Sequence, residues 1–450
     1  MGVNLPDVQG FILRGYAMPV GRCVGLTVRA PAAARALLGS LVSEDPAVPH
    51  ITSAQPWEVK PDCCVNLGIT FPGLAALGVP PEAQASFPVE YREGAIRRAA
   101  VVGDVGESAP AHWLPWLVDP GLHLVVTLFA QSWDALESTT KHLARVWSAG
   151  CVELGRQDAA VLPGDVAHFG YRDGFSQPTI TGVPPAGLPD PLPPAPPGEF
   201  LLGYPSQFKN FIYPVPQPEV LGRNGSFAAL RVLEQDVDAF AEFLRQQAAA
   251  TGMSEELIAA KLCGRWRNGT PLVLSPDTDS PDPPIPLEQM NYFDYVGEYG
   301  DEKGYRCPIG SHIRRMNPRG SRVAGQGGHL HRIVRRGLPY GPPYDPAHPR
   351  DGQPRGLLGL FIGVSLRDQF EFLMSHWAND GTFAPGLGRT SDPVMGAQLS
   401  ETRTFTIPRP GGPVVLHGLA RFVTTKGGAY CFLPSISAIR YLAALGELPG

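Results

Sequence analysis

The sequence lacks any apolar run that approaches the ~20 residues needed to cross a bilayer. Its first residues, MGVNLPDVQGF, also lack the basic stretch followed by an apolar stretch that marks a secretory signal, and they hold no twin-arginine pair. From these absences we expect a cytoplasmic protein without a membrane partner. Export in complex with a second protein stays an alternative.

A basic excess is missing as well. Lysine and arginine total 37 against 42 aspartates and glutamates, and the formal net charge is -5. A nucleic-acid partner would require a basic face, so this balance argues against one. The sequence also has no G-x-x-x-x-G-K-[ST] loop, no G-x-S-x-G elbow and no H-E-x-x-H pair, which argues against the common NTPase, serine-hydrolase and zinc-protease classes.

Cysteine is scarce and forms no recognisable motif. The seven cysteines are odd in number, scattered, and contain no C-x-x-C. In a chain of this length that pattern indicates reduced, buried thiols. The adjacent Cys63 and Cys64 allow a redox role as an alternative. His329 and His331 could share one face of a strand, but two histidines without a third ligand make a weak zinc site.

Glycine and proline, by contrast, are abundant, with 52 and 49 residues. The densest cluster, GVPPAGLPDPLPPAPPGEF, spans 182–200, where so many prolines exclude a helix or a central strand. Such a stretch is typical of a stiff connector between domains. We therefore predict an N-terminal domain over residues 1–185, a connector over 186–200 and a C-terminal domain over 201–450.

Strand-like and helix-like patterns follow one another twice in each half of the chain. In the first half, CVGLTV (23–28) and GLHLVVTLFA (121–130) predict strands, and each precedes apolar residues at helical spacing. In the second half, LEQDVDAFAEFLRQQAAATG predicts a helix, and GLLGLFIGVSL (356–366) predicts a strand before the helix RDQFEFLMSHWAND. LARFVTT (419–425) predicts the last strand. This order indicates two α+β domains, each with helices packed on one antiparallel sheet.

Two segments carry candidate chemistry. In HFGYRDGFSQP, Asp173 stands between two glycines, which permit backbone angles and close approaches to a flat ligand that other residues forbid. An ordinary Asp-Gly turn is the alternative. In CPIGSHIRRMNPRG, His312 precedes a cluster of arginines. A porphyrin needs one axial nitrogen and cations for its two propionates, so this order suits haem, while a structural histidine is the alternative.

Together with RIVRRGLPYG, these segments make the sequence resemble the dye-decolorizing haem peroxidases, and more closely the longer members. The resemblance runs along nearly the whole chain, from DVQGFIL (7–13) through GRWRNGTPL (264–272) to GGAYCFLPS (427–435). Gly170, Asp173 and Gly174 match the GxxDG signature of the family. The resemblance implies two ferredoxin-like domains, with one haem b per chain in the C-terminal domain, facing the domain interface.

The resemblance also implies a role for each site residue. His312 matches the proximal iron ligand, and Asp392, in SDPVMG, matches the carboxylate that accepts a hydrogen bond from the other ring nitrogen. Asp173 matches the acid–base residue that moves a proton between the two oxygens of hydrogen peroxide. Arg335 matches the distal arginine, whose charge stabilises the breaking O–O bond. Arg319 matches a residue that pairs with a haem propionate.

The neighbours of Arg335 are placed by strand alternation. If its segment is a strand, Arg332 and Arg336 project away from the face of Arg335. Leu358 and Leu360, which alternate on a later strand, are then the candidates for an apolar wall of the distal pocket.

The implied function is a peroxidase that reduces hydrogen peroxide and oxidises small or bulky aromatic donors. Tyr340 stands where some relatives carry a surface residue that oxidises bulky dyes, and a packed turn tyrosine is an equal alternative. A haem carrier or haem-processing protein on the same fold would need His312 but neither Asp173 nor Arg335. A protein of this fold without haem is a further alternative, and the natural reductant, manganese oxidation and the oligomeric state stay open.

Overall fold

The computed structural model describes residues 2–185, 187–297, 300–320, 328–382, 384–385, 387–399 and 403–446. Residue 186, where the predicted connector begins, lies outside these ranges. In chain order the strands within them are β1 (Val20–Val28), β2 (Cys63–Ile69), β3 (Leu124–Ala130), β4 (Cys151–Ala160), β5 (Ser226–Gln235), β6 (Val334–Tyr340), β7 (Gly356–Gly363), β8 (Thr404–Ile407), β9 (Val414–His417) and β10 (Val423–Leu433).

Eight of these strands form one antiparallel sheet in the order β4-β1-β3-β2-β10-β5-β7-β6. The first half of the sheet therefore has the strand order 4-1-3-2. The second half repeats that order when β5, β6, β7 and β10 are counted as its first to fourth strands. This is the ferredoxin-like arrangement, in two copies, and it confirms the predicted fold class.

The two halves meet where β2 lies beside β10, with Phe432 opposite Ile69. The strands at the far ends of the sheet, β4 and β6, also contact each other, so the sheet curls towards closure. The remaining strands, β8 and β9, pair only with each other. The domain and connector boundaries stay predictions.

The helices lie between the strands and cover the sheet. The described α-helices are α1 (Gly10–Leu13), α2 (Pro31–Ser40), α3 (Phe71–Ala76), α4 (Pro81–Ala85), α5 (Val89–Arg97), α6 (Pro115–Val118), α7 (Trp133–Trp147), α8 (Glu219–Gly222), α9 (Val237–Thr251), α10 (Glu255–Cys263), α11 (His312–Met316) and α12 (Ile436–Ala444). Short 3-10 turns cover Leu5–Asp7, Ala99–Val102, Gly106–Ser108, Pro110–His112, Pro197–Glu199, Leu287–Gln289 and Gly328–His331. Two π-helical turns, Leu366–Glu371 and Leu373–Ala378, form the helix that follows β7. Among the described helices, none is both long and apolar enough to span a bilayer.

The long helices begin at side-chain caps. Ser132 accepts a hydrogen bond from the backbone N–H of Ala135 at the start of α7, and Asp236 does the same for Ala239 in α9. The sequence pattern had placed LEQ inside the second of these helices. That prediction was wrong, because β5 continues to Gln235 and the cap at Asp236 starts the helix only at Val237.

The last strand also differs from its prediction over 419–425. It begins at Val423 and continues through two glycines to Leu433, with a bulge between Thr425 and Gly427. A Cβ atom on Gly427 would lie 2.0 Å from Cδ1 of Leu117, so this strand needs glycine for close packing rather than for a turn. The prediction ended this strand before the two glycines because glycines usually mark the end of a strand.

All seven cysteines are free thiols, and six are buried. Burial raises the pKa of Cys63 to about 11 and that of Cys64 to about 12. Both thiols are therefore poor nucleophiles near neutral pH, which argues against the redox alternative for this pair.

Candidate active site

His312 and Asp392 form one side of the site. His312 is the first residue of α11, and its Nδ1 lies 2.9 Å from Oδ2 of Asp392. The Asp392 carboxylate is completely buried, and its Oδ1 accepts hydrogen bonds from the N–H groups of Val394 and Met395 at 2.9 and 3.0 Å. Burial alone would raise the pKa of Asp392, but His312, Arg315 and the backbone donor of Met395 outweigh burial and hold that pKa below its usual value. An ionised carboxylate therefore contacts an imidazole whose side chain is 25% exposed.

Arg315 ties this helix to the segment that carries Asp392. Its buried guanidinium donates to the backbone carbonyls of Trp377, Asp380 and Thr390, each at 2.8 or 2.9 Å. The backbone N–H of Asp392 in turn donates to the carbonyl of Ala378. Because two distant segments share these contacts, the orientation of the imidazole is set by the fold and not by α11 alone.

Asp173 lies in a separate and more exposed loop. It is held in a tight loop, where its Oδ1 accepts from the N–H of Gly174 at 2.7 Å and its own N–H donates to the carbonyl of Asp165. Gly170 and Gly174 have φ values of 86° and 88°, which side chains with a Cβ rarely adopt. The two glycines of the signature therefore shape the loop that presents the Asp173 carboxylate.

Gln177 connects this loop to Arg335, although 158 residues separate them. Its side-chain amide accepts from the backbone N–H of Arg335 at 3.2 Å and donates to the Arg335 carbonyl at 3.1 Å. The Arg335 guanidinium donates to the carbonyl of Ser176. β6 is an end strand of the sheet, so Gln177 satisfies edge groups that would otherwise lack a strand partner. No local pattern in the sequence could have identified this contact.

The structure corrects the predicted distal wall. Directly opposed residues of antiparallel strands share a face of the sheet, and Arg335 lies opposite Phe361 while Arg336 lies opposite Leu360. Leu358 and Leu360 are therefore on the face of Arg336, where both are buried in an apolar cluster. Neither of them lies on the face of Arg335, and the prediction that they line its pocket was wrong. The face of Arg335 carries Leu357 and Phe361 instead, with Gly359 between them.

The arginines next to Arg335 are engaged elsewhere. Arg336 is buried and donates through Nε to the carbonyl of Phe11 at 2.7 Å, on the opposite face of β6 as predicted. Arg332 precedes the strand and donates to the Pro193 carbonyl and to Oε1 of Gln207. These contacts leave Arg335 as the arginine of this segment on the side of the Asp173 loop.

Tyr340 is not a surface residue. Its side chain is 6% exposed and belongs to the same buried apolar cluster as Leu358 and Leu360. Its carbonyl also accepts a hydrogen bond from Nε2 of buried His168, at 2.7 Å. The packed tyrosine is therefore the correct alternative, and the hypothesis of a surface radical site at Tyr340 was wrong.

Arg319 has protein partners in the structure. Its buried guanidinium donates to the carbonyls of Asn291 and Phe293, at 2.8 and 3.1 Å, and to Oδ1 of Asn291. Its pairing with a haem propionate stays a prediction. Arg265, which sequence reasoning had not singled out, shares the Asn291 amide oxygen with it.

The zinc alternative gains no support from the described part of the chain. No group of three or more His, Cys, Asp and Glu side chains lies close enough there to hold a metal ion. Nδ1 of His331 hydrogen-bonds to the carbonyl of Asp368 and its ring stacks on Phe372, with centroids 3.7 Å apart. The ring of His331 is therefore held by this hydrogen bond and by stacking.

Known proteins similar to the chain are peroxidases. No protein-family model matches the chain. The dye-decolorizing peroxidase msp1 of Mycetinis scorodonius is 29% identical over 472 residues, which cover 98% of this chain and 87% of that protein. The multifunctional dye peroxidase DyP2 of an Amycolatopsis species is 30% identical over 410 residues, which cover 84% of this chain and 82% of that protein.

Solved structures agree with these relatives. The fungal DyP-type peroxidase of Auricularia auricula-judae has a TM-score of 0.82 and 25% identity, and the match covers 99% of this chain and 100% of that one. A dye-decolorizing peroxidase in complex with 2,6-dimethoxyphenol has a TM-score of 0.81 and 28% identity, covering 98% and 100% of the two chains. Fold and similarity together define the class, a peroxidase of the haem-dependent kind. The chain belongs to the dye-decolorizing peroxidase family, as its motifs predicted.

Proposed function

We propose that the chain binds one haem b through His312 and reduces hydrogen peroxide with Asp173 and Arg335. The observation that carries the proposal is the hydrogen bond between His312 and Asp392. Nδ1 of His312 is engaged by a buried carboxylate at 2.9 Å, which leaves Nε2 as the ring nitrogen for the iron. The carboxylate makes the imidazole a stronger electron donor, as a peroxidase requires.

The other residues of the site fit the same group. A haem brings two propionates, and Arg319 is a buried cation with no carboxylate within ion-pair distance among the described residues. When bound, the haem would supply the redox chemistry: it would give two electrons to peroxide and take them back one at a time from the reducing substrate. Arg319 would balance the charge of a propionate, and His312 would fix the orientation of the ring.

Asp173 and Arg335 have different roles in the reduction of hydrogen peroxide. One carboxylate oxygen of Asp173 is held by the N–H of Gly174, so the other oxygen accepts the proton from hydrogen peroxide and returns it to the departing oxygen, which leaves as water. The Arg335 guanidinium, held by the carbonyl of Ser176, stabilises the negative charge that develops as the O–O bond breaks. Both groups are exposed, so peroxide and water can reach them.

The reductants follow from the relatives. The names of the relatives include dye-decolorizing and multifunctional dye peroxidases, and one similar structure holds 2,6-dimethoxyphenol. We infer that this chain oxidises phenolic and other aromatic one-electron donors. Buried Tyr340 offers no surface for bulky dyes, so oxidation of large donors would need another exposed group.

Absorption spectra of the purified protein test the proposal. Haem binding should give a Soret band, and one equivalent of peroxide should change that band rapidly. Arg335→Leu should slow the change by about 10²–10³-fold, because it removes a preorganised cation from the bond that breaks. Arg335→Lys should recover part of the rate. A haem carrier would bind haem but respond to peroxide at the same slow rate in all three proteins, and absence of a Soret band after haem supplementation would contradict haem binding itself.

A further inference from the structure

Two buried arginines, Arg265 and Arg319, contact the same aromatic ring, that of Phe293. Arg265 and Arg319 are 7% and 3% exposed. Their guanidinium carbons lie 5.3 and 4.1 Å from the centre of the Phe293 ring. Both also donate to Oδ1 of Asn291, at 3.5 and 2.5 Å, so the two cations are held next to each other.

Among the described residues, every acceptor of Arg265 and Arg319 is a neutral oxygen. Besides Asn291 Oδ1, Arg265 donates to the carbonyls of Gly269 and Met290 at 2.8 and 2.7 Å, and Arg319 donates to two further backbone carbonyls. Within the described chain, no carboxylate lies within ion-pair distance of either guanidinium. Two other buried arginines are instead paired with carboxylates: Arg231 with Asp104 at 2.5 Å and Arg314 with Asp301 at 2.9 Å.

This arrangement is electrostatically unfavourable without an anion. Burial, followed by the charge of Arg319, lowers the pKa of Arg265 to about 10, and burial lowers the pKa of Arg319 as well. Asp190 and Asp294 act on Arg319 from a distance in the opposite sense, while the charge of Arg335 adds to the repulsion. Buried charges are retained in proteins when they are paired or bind a ligand, so the cluster has the character of an anion site.

The position of Arg265 connects both sides of the site. Its guanidinium carbon lies 5.2 Å from the ring of Phe175, which follows Asp173 by two residues in the loop. Its partner Arg319 follows His312 by seven residues. The arginine pair therefore contacts the loop of Asp173 through Phe175, and Arg319 belongs to the segment that carries His312.

We propose that Arg265 is a second cation for the carboxylates of the haem, beside Arg319. The proposal rests on the proposed function, because the propionates of a haem held by His312 are the anions it requires. Two guanidinium groups provide several N–H donors, and bonds from guanidinium to carboxylate are among the strongest in proteins. The competing explanation is that Arg265 only braces the turn through Gly269 and the loop through Met290.

Titration of the apoprotein with haem and with haem dimethyl ester, followed at the Soret band, separates the two explanations. The ester keeps the ring and the iron but has no carboxylates. Wild type should prefer haem, and Arg265→Gln should reduce that preference by about tenfold, since a hydrogen bond to a charged group is lost. Arg336→Gln is the matched control: it removes an equally buried arginine that donates to a carbonyl and lies on the opposite face of β6, and it should leave the preference unchanged.

A second variant covers a failure of Arg265→Gln to fold. Arg265→Met keeps an unbranched apolar stem at this position and removes the charge. In the apoprotein it should cost little stability, because it relieves repulsion with Arg319, whereas the rise in melting temperature on adding haem should be smaller than in wild type.

Equal losses for haem and its ester, or an unchanged haem-induced rise, would overturn the role of Arg265 and leave the proposed function intact. If wild type bound neither ligand, the proposed function itself would fail.

Discussion

The two sides of the site are built in opposite ways. The proximal side centres on Asp392, a fully buried carboxylate with acceptor contacts to His312, Val394 and Met395. The distal side centres on Asp173, which is exposed and whose carboxylate accepts one hydrogen bond, from the next residue in the chain. In the proposed function, the same side-chain type therefore serves as a fixed charge in one place and as a proton carrier in the other.

The difference follows from what each carboxylate must do. A group that only orients and polarises an imidazole works best when its charge is held constant, and burial with several donors achieves this. A group that accepts and returns a proton must be reachable and must keep one oxygen free. Substitution of Asp392 should therefore change both stability and haem properties, while substitution of exposed Asp173 should change rate alone.

Asp173→Asn should give the largest effect of any substitution considered. The amide cannot take a proton from peroxide, so the second-order rate of the reaction with peroxide should fall by about 10²–10⁴-fold. Haem affinity and melting temperature should stay at wild-type values, because the side chain is exposed and asparagine still accepts from Gly174. Stopped-flow absorbance at the Soret band measures the rate.

Asp165→Asn is the control for this variant. Asp165 is exposed and contacts the loop only through its backbone carbonyl, which accepts from the N–H of Asp173. Its substitution should leave the peroxide rate unchanged. An equal loss of rate in both variants would mean that loop shape, not the Asp173 carboxylate, limits the reaction.

Asp392→Asn should sharpen the contrast from the proximal side. Removing the charge of a buried carboxylate that pairs with His312 should lower the free energy of unfolding by about 1–3 kcal/mol. A less anionic imidazole should also raise the reduction potential of the bound haem. Urea unfolding and spectroelectrochemistry measure the two effects. Asp380→Asn is the control, because Asp380 contacts Arg315 through its backbone carbonyl and that contact survives the substitution. Unchanged stability and unchanged reduction potential in Asp392→Asn would contradict the proposed role of Asp392 beside His312.

The sequence predicted the parts of this site that depend on local chemistry. Glycines around Asp173 and arginines after His312 are visible in short windows, and strand alternation correctly separated Arg336 from Arg335. The distal wall failed for a specific reason. Leu358 and Leu360 were placed without the register between β6 and β7, and a shift by one residue moves every side chain to the other face of a strand.

The fold itself was predicted better than its boundaries. The first and third strands of the N-terminal half were identified because each is a continuous apolar run, and helix α7 because its apolar residues recur at helical spacing behind a serine cap. The start of α9 and the extent of β10 were misjudged, since the first depends on a strand that pairs with β10 and the second on close packing of Gly427 against Leu117. Gln177 and Arg265 were missed because their contacts join segments far apart in sequence.

Gln177→Ala tests how rigidly the distal side must be held. The substitution removes two hydrogen bonds to the backbone of Arg335, each with a net contribution of about 0.5–1.5 kcal/mol. We expect the peroxide rate to fall by about 3–10-fold while the rate with an aromatic reductant is unchanged. Gln177→Glu should lose less, because its carboxylate still accepts from the N–H of Arg335. Equal slowing of both half-reactions would indicate general damage to the fold.

His168 should make the distal segment sensitive to acid, with the smallest effect. It is buried five residues before Asp173, its Nε2 pairs with the carbonyl of Tyr340, and its Nδ1 has no partner among the described residues. Burial lowers the pKa of His168, and the hydrogen bond to Tyr340 offsets burial only in part. An unfolded histidine takes up a proton below about pH 6.5 and folded His168 resists it, so the unfolded state binds more protons and stability falls as pH drops from about 7 to 5.

His168→Gln keeps a donor for the Tyr340 carbonyl and does not titrate. Its unfolding free energy should therefore depend less on pH over this window, by at most ~1.4 kcal/mol per pH unit, the limit for one proton. Urea unfolding at pH 5, 6 and 7 measures the slope, and exposed His376→Gln supplies the comparison variant. If the slope of His168→Gln matched that of wild type, the acid sensitivity of the protein would not arise from His168. The contrast between the two sides of the site would then depend only on the buried charge of Asp392.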